Sequence, residues 1–199
     1  MMAAMSEKEA ETPGKRTRPG PRKVTPKYLE NAALFYLQRF ATSAANLRRV
    51  LMRKVERSAR FHGTDPAEGA QWVDALIARF VVSQLLDDAL YAESRAQSLR
   101  RRGASGRTIA LTLRQKGVEG EIIDTAMAAA DEAEEKPELA AAARLARKRR
   151  LGPWRAAEGR REARERDLAA LARAGFSYDV ALAVIDAEGP EDLEGEGFL

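Results

Sequence analysis

The chain has 199 residues, 45% hydrophobic and 32% charged, with 34 Lys and Arg against 30 Asp and Glu, one His and no Cys. The absence of Cys excludes disulfides, thiolate zinc sites and a cysteine nucleophile, and the lone His62 cannot build a His-based metal site or a Ser-His-Asp triad. The low aromatic content and the abundance of Ala, Leu and Arg favour helices over an all-β fold. No apolar run approaches the roughly 20 residues of a membrane helix, and the N-terminus is charged where a secretory signal is apolar. We therefore expect a cytoplasmic protein.

The two ends of the chain carry opposite charge. Residues 1–27 contain seven basic and three acidic residues, and residues 12–27 combine six Lys or Arg with four Pro. We expect 1–27 to be a flexible basic arm, either a solubilising tail or a contact for nucleic acid or an acidic partner, and we expect deletion of residues 1–24 to leave the fold intact. Residues 186–199 contain six acidic and no basic residues. We expect 188–199 to be a solvated acidic tail.

The segment between the two tails has the apolar periodicity of helices almost throughout, which predicts an all-α fold. Ser43, Asp65, Asp87 and Ser105 are placed to cap helices. The first three helices are predicted to bury three stripes: Leu29, Ala33, Tyr36, Leu37 and Phe40; Leu47, Val50, Leu51, Val55 and Ala59; and Trp72, Val73, Leu76, Ile77, Phe80 and Val81.

The sequence also repeats itself. An offset of 62 residues superposes Ser43 on Ser105 and Leu51 on Leu113, and an offset of 58 superposes Gly117 on Gly175. We expect three tandem three-helix repeats, at residues 28–86, 87–136 and 137–187, because units of this size are marginal alone and stacked neighbours extend a shared core. The repeats should form an elongated, curved helical array.

The middle repeat carries a specific set of motifs. These are Asp87-Asp88, Tyr91-Ala92, a basic helix end at residues 100–102 followed by Gly103, then Gly106-Arg107 with Ile109, and a closing Leu113, Lys116, Gly117 and Val118. They resemble the signature of the regulatory protein RecX family, the bacterial modulators of the RecA recombinase. The last repeat, with Leu171, Gly175, Phe176 and Val180, is similar to that family's third repeat. The chain departs from the family pattern at Thr112, where an acid is frequent, and at Arg95, where an aromatic residue is common.

The resemblance implies a regulator that is not an enzyme and has no cofactor. It implies binding to RecA and to RecA filaments on single-stranded DNA, with inhibition of filament extension, ATP hydrolysis and strand exchange, and hence a role in DNA repair and recombination. We expect a monomer with no membrane partner and weak, non-specific DNA binding. Any DNA contact should be made to phosphates, since few aromatic side chains are free to stack on bases.

Basic clusters in each repeat are the candidate contacts for a partner or for phosphate. Each has an alternative interpretation as a solvated helix face or as cations that complement a helix C-terminus. Trp154, next to Gly152-Pro153, is a candidate contact in a loop, whereas Tyr91 and Tyr178 are expected to pack between repeats. The basic candidates are Arg49, Arg53, Arg57, Arg100, Arg101, Arg107, Arg114, Lys116, Arg144, Arg147, Lys148 and Arg149.

A second hypothesis remains open on the residues alone. A helical nucleic-acid-binding protein independent of RecA could use the same basic arm and clusters through non-specific phosphate contacts. Successive repeats share a glycine at the same position, Gly117 and Gly175, and this repetition argues against a single helix-turn-helix domain. An enzymatic function has no constellation of residues to support it.

Overall fold

A computed structural model describes residues 20–132 and 134–193, and within these ranges the chain forms nine α-helices, three short 3-10 turns and no β-strand. The first 19 residues of the expected basic arm and the last six of the acidic tail lie outside the described residues. The helices are α1 (Pro26–Leu37), α2 (Ala44–His62), α3 (Pro66–Val82), α4 (Asp88–Arg101), α5 (Gly106–Lys116), α6 (Gly120–Asp131), α7 (Pro137–Arg149), α8 (Arg160–Arg173) and α9 (Tyr178–Ile185).

The helices begin where polar side chains can satisfy their first N–H groups. Ser43, Asp65, Asp87 and Ser105 each accept a hydrogen bond from a backbone N–H in the first turn of the following helix. These four predicted caps are therefore confirmed. Prolines stand at the start of α1, α3 and α7, where the missing N–H costs nothing.

Three separate hydrophobic cores divide the helices into three groups. The first core joins α1 to α3, the second α4 to α6, and the third α7 to α9. This confirms an all-α fold of three tandem three-helix repeats. Their most deeply buried side chains are Leu29, Leu47, Leu51 and Val73 in the first repeat, Ile109, Leu113 and Ile123 in the second, and Leu171 and Val184 in the third.

Three residues predicted to be buried are exposed to solvent. Phe40 is 51% exposed because α1 ends at Leu37, which takes Phe40 off the helical face. Val81 is 48% exposed in the last turn of α3. Tyr178 is 65% exposed at the first position of α9 rather than packed between repeats, whereas Tyr91 is buried. Helical periodicity predicted which residues share a helix face, but not at which residue that face ceases to be buried.

Both predicted tails include residues that belong to the folded repeats. Val24, inside the expected arm, is only 3% exposed, and its backbone N–H donates to Ser58 Oγ at 3.0 Å. At the other end, residues Pro190–Asp192 form a 3-10 turn and Leu193 packs in the third core. In each charged segment, one apolar side chain at the edge packs in a hydrophobic core. A count of the charges in the segment cannot predict this packing.

Candidate partner-binding surface

The second helices of successive repeats are joined end to end. Ser43, which caps α2, donates its hydroxyl to the carbonyl oxygen of Lys116 at the end of α5. Ser105, which caps α5, donates its hydroxyl to the carbonyl oxygen of Ala174 just after α8, at 2.7 Å. The capping serines of α2 and α5 therefore make equivalent bonds, each to the repeat that follows in the sequence. As a result, α8, α5 and α2 follow one another in a row.

A glycine allows each junction to close. Gly117 (φ 79°) and Gly175 (φ 94°) adopt left-handed backbone conformations at the ends of α5 and α8. A Cβ atom at Gly117 would lie 2.6 Å from the Cβ of Ala45, and one at Gly175 would lie 2.6 Å from Ser105 Oγ. Both the backbone conformation and the close approach require glycine. The repeat offset of 58 residues reflects this shared geometry.

The junction between the first two repeats gathers positive charge. Arg49 donates its Nη2 to the carbonyl oxygen of Gln115 at 2.5 Å, so the basic face of α2 meets the end of α5. Lys116, half-buried at the same junction, lies with its Nζ 3.5 Å from Asn46 Oδ1. Arg53 and Arg57 continue the exposed face of α2 at four-residue intervals. The result is a basic surface that crosses from one repeat to the next.

Most of the predicted basic candidates lie on the surface. In the second repeat they flank the ends of α4 and α5, and in the third they occupy the last turn of α7. The structure brings Arg49, Arg114 and Lys116 to one junction, whereas the cluster at the end of α7 belongs to another repeat. The exposed candidates are Arg49, Arg53, Arg57, Arg101, Arg107, Arg114, Arg147, Lys148 and Arg149.

Arg100 is the clearest error among the predicted contacts. It is only 3% exposed, and its guanidinium donates to Asp131, to Glu138 and to the carbonyl oxygen of Ala104. Glu138 also accepts from the backbone N–H of Gly106 at 2.7 Å. Arg100 therefore connects α4 to α6 and to the third repeat, and it is structural rather than available to a partner.

Arg144 and Trp154 are also less available than predicted. Arg144 is half-buried and donates to the carbonyl oxygen of Arg100 and to Glu134. Burial lowers the pKa of the Arg144 guanidinium, as does the nearby Arg100 charge. Trp154 lies in the 3-10 turn Gly152–Trp154 and packs, half-buried, against the third core. A run of basic residues predicts a charged region but not which of its side chains turns inward.

Sequence reasoning missed two cations at the boundary of the first two repeats. Arg39 and Arg95 line a groove there together with Tyr36, Phe40 and Tyr91. The run from Tyr36 to Phe40 places two aromatic residues around an arginine, which could have indicated a binding site. Because Phe40 fitted the predicted apolar stripe, the sequence indicated a core position instead. Arg95 stands at the position where the family pattern favours an aromatic residue.

The described residues hold no group of three or more His, Asp or Glu placed to bind a metal ion. Nor does any helix in the described part combine the length and the apolar character needed to cross a membrane.

Comparisons with known proteins agree with this architecture. Residues 87–127 match the family model described as RecX, second three-helix domain. The "Regulatory protein RecX" of Myxococcus xanthus (strain DK1622) is 53% identical over 168 residues, which is 84% of this chain and 89% of that protein. The protein of the same name from Agrobacterium fabrum is 32% identical over 168 residues, or 83% of this chain and 87% of that protein.

A solved structure has the same fold. The chain described as "Crystal structure of regulatory protein RecX" superposes with a TM-score of 0.55 at 20% identity, covering 81% of this chain and 72% of that one. This likeness shows the fold, and the extent of the sequence matches shows the family. The chain belongs to the RecX family of regulatory proteins.

Proposed function

We propose that this protein binds RecA filaments on single-stranded DNA and restrains their extension, their ATP hydrolysis and strand exchange. The observation that carries the proposal is the end-to-end joining of three repeats, each of which presents exposed basic side chains. A filament is a periodic partner, and a row of rigidly joined units can contact more than one of its subunits at once. Membership of the RecX family supports the recombinase as that partner.

The protein would act by binding rather than by catalysis. Contacts spread over several repeats add their free energies, so a chain that spans neighbouring subunits can hold them in one arrangement. A partner held in that way cannot pass through the changes that ATP hydrolysis requires. We propose the repeats at 28–86, 87–136 and 137–187 as the binding units, in a monomeric, cytoplasmic protein.

The test is ATP hydrolysis by the RecA of the same organism, assembled beforehand on single-stranded DNA and titrated with this protein well below the RecA concentration. We expect inhibition at low ratio, because each bound molecule affects more than one filament subunit. Inhibition that begins only when the protein exceeds the free DNA sites would instead support the second hypothesis, a RecA-independent protein that competes for DNA through phosphate contacts.

A further inference from the structure

A groove of about 420 Å³ separates the first two repeats. One of its walls comes from the end of α1 and the connection to α2, with Tyr36, Arg39 and Phe40. The opposite wall comes from α4, with Tyr91 and Arg95, and Lys116 joins from the end of α5. Three aromatic and three basic side chains thus share one concave surface.

The charged side chains that line this groove are all basic. Its lining contains no Asp or Glu, and no ion pair among the described residues involves Arg39, Arg95 or Lys116. Asp88, on the same helix as Tyr91, already accepts a hydrogen bond from the backbone N–H of Ala44 at 2.8 Å. The three cations therefore have no opposite charge inside the groove, which makes it a favourable place for an anion.

One of these rings, that of Phe40, is unusually available to a ligand. Phe40 is 51% exposed although it is apolar, and its ring centroid lies 5.1 Å from that of Tyr36. The guanidinium carbon of Arg39 lies 5.7 Å from the ring centroid of Phe40 and also 5.7 Å from that of Phe35. An exposed ring with an arginine beside it gives a flat apolar group both a stacking surface and a positive charge.

The groove continues into the basic surface of α2. Lys116 is adjacent in sequence to Gln115, whose carbonyl oxygen accepts from Arg49, and Arg49 begins the row that includes Arg53 and Arg57. A chain of regularly spaced anions that leaves the groove at Lys116 would therefore meet further cations on α2. Aromatic stacking sites linked to a basic track are the pattern by which proteins hold unpaired nucleotides.

We propose that this groove binds single-stranded nucleic acid, with an unpaired base stacked on Phe40 and phosphates held by Arg39, Arg95 and Lys116. An acidic peptide would use the cations but would leave the exposed ring of Phe40 without a role. Double-stranded DNA would present its phosphates but keep its bases stacked inside the duplex. The inference goes beyond the proposed function because it assigns a base-stacking site, which neither RecA binding nor phosphate contacts alone require, and its test needs no recombinase.

The test compares two labelled 20-mers by fluorescence anisotropy: oligo-dT, and an abasic strand with the same number of phosphates. We expect the full chain to bind oligo-dT more tightly, and Phe40→Ala to weaken that binding about five- to tenfold, since stacking is lost. The abasic strand should bind the variant and the unchanged protein alike. Phe61→Ala is the matched control, since Phe61 is 61% exposed and lies outside the groove.

A second variant guards against a folding defect. Arg39 is exposed, so Arg39→Gln should keep the circular dichroism of the unchanged protein while it weakens binding to both strands. For this variant, the plot of the logarithm of the binding constant against the logarithm of the salt concentration should be shallower by about one unit, as expected when one phosphate contact is removed.

Three results would overturn the inference: no measurable binding of oligo-dT, equal effects of Phe40→Ala and Phe61→Ala, or tighter binding of a poly-glutamate peptide that is lost in Phe40→Ala. The recombinase is absent from this experiment. Absence of oligo-dT binding by the unchanged protein, together with intact inhibition of RecA, would therefore contradict this inference alone.

Discussion

Ser105 Oγ lies 2.7 Å from the carbonyl oxygen of Ala174, so the residue that begins one helix also closes the end of a helix in the next repeat. Thr108 Oγ1 donates to the same oxygen at 2.8 Å. Ser43 and Lys116 form the corresponding pair one repeat earlier. A polar contact repeated in this way fixes the relative position of neighbouring repeats, because a carbonyl oxygen partly shielded from water is costly to leave without a donor.

Replacement of Ser105 should destabilise the protein more than replacement of an ordinary helix cap. Ser105→Ala removes both the cap of α5 and the bond to Ala174 at a fully buried position, and we expect a loss of about 1–3 kcal/mol in the free energy of unfolding. Ser177→Ala is the control, since Ser177 caps α9 but is exposed. Urea unfolding measures the stability of both variants. An equal loss of unfolding free energy in the two would show that the bond between Ser105 and Ala174 adds nothing to the helix cap.

A methyl group at Gly117 should cost stability for two separable reasons. Gly117→Ala places a Cβ on a left-handed backbone and drives it against Ala45, for a combined cost of about 2–4 kcal/mol. Gly63→Ala has a similar φ, 66°, with nothing within 4 Å, so it should cost only the backbone part. Thermal and urea unfolding of both variants would refute the close-contact argument if Gly117→Ala cost no more than Gly63→Ala.

Arg100 should behave as a structural residue and not as a contact. Arg100→Ala leaves Asp131 and Glu138 without their cation and opens a cavity beneath α4, and we expect a loss of about 2–3 kcal/mol, tempered by the partial exposure of both carboxylates. The neighbouring Arg101→Ala, at an exposed position, should change stability by less than about 0.5 kcal/mol. An unfolding curve for Arg100→Ala that matches the unchanged protein would contradict the structural role of Arg100.

Two truncations should separate the basic arm from the folded repeats. Deletion of residues 1–24 removes Val24 from the first core and its hydrogen bond to Ser58, so we now expect it to lower the unfolding midpoint. Deletion of residues 1–19 leaves every described contact in place and serves as the control. If both truncations unfold at the same urea concentration, the packing of Val24 contributes nothing measurable.

Charge reversal at the end of α7 tests the partner surface. Arg147, Lys148 and Arg149 are exposed, so their replacement by Glu should weaken inhibition of RecA several-fold while the helical circular dichroism is retained. Some helix stability should be lost as well, because cations in the last turn complement the helix dipole. Neutral replacement by Gln gives the matched variant. Full inhibition by the Glu variant would remove this cluster from the proposed interface.

The sequence by itself determined the helices, most of their caps and the existence of three repeats, because these features depend on residues within a few positions of one another. It even placed Ser43 on Ser105 and Gly117 on Gly175, the residues that form both junctions. Local periodicity cannot show that a capping hydroxyl also bonds to a carbonyl 69 residues further along, as Ser105 does to Ala174.

Tertiary structure alone decided which charged and aromatic side chains are exposed. The three arginines at 100–102 are equivalent in sequence, yet Arg100 turns inward because Asp131 and Glu138, 31 and 38 residues away, meet it there. In the same way Phe40 fits the apolar stripe of α1, but the helix ends before it and leaves the ring in the groove between two repeats. Burial is set by which elements pack together, and that information is spread over the whole chain.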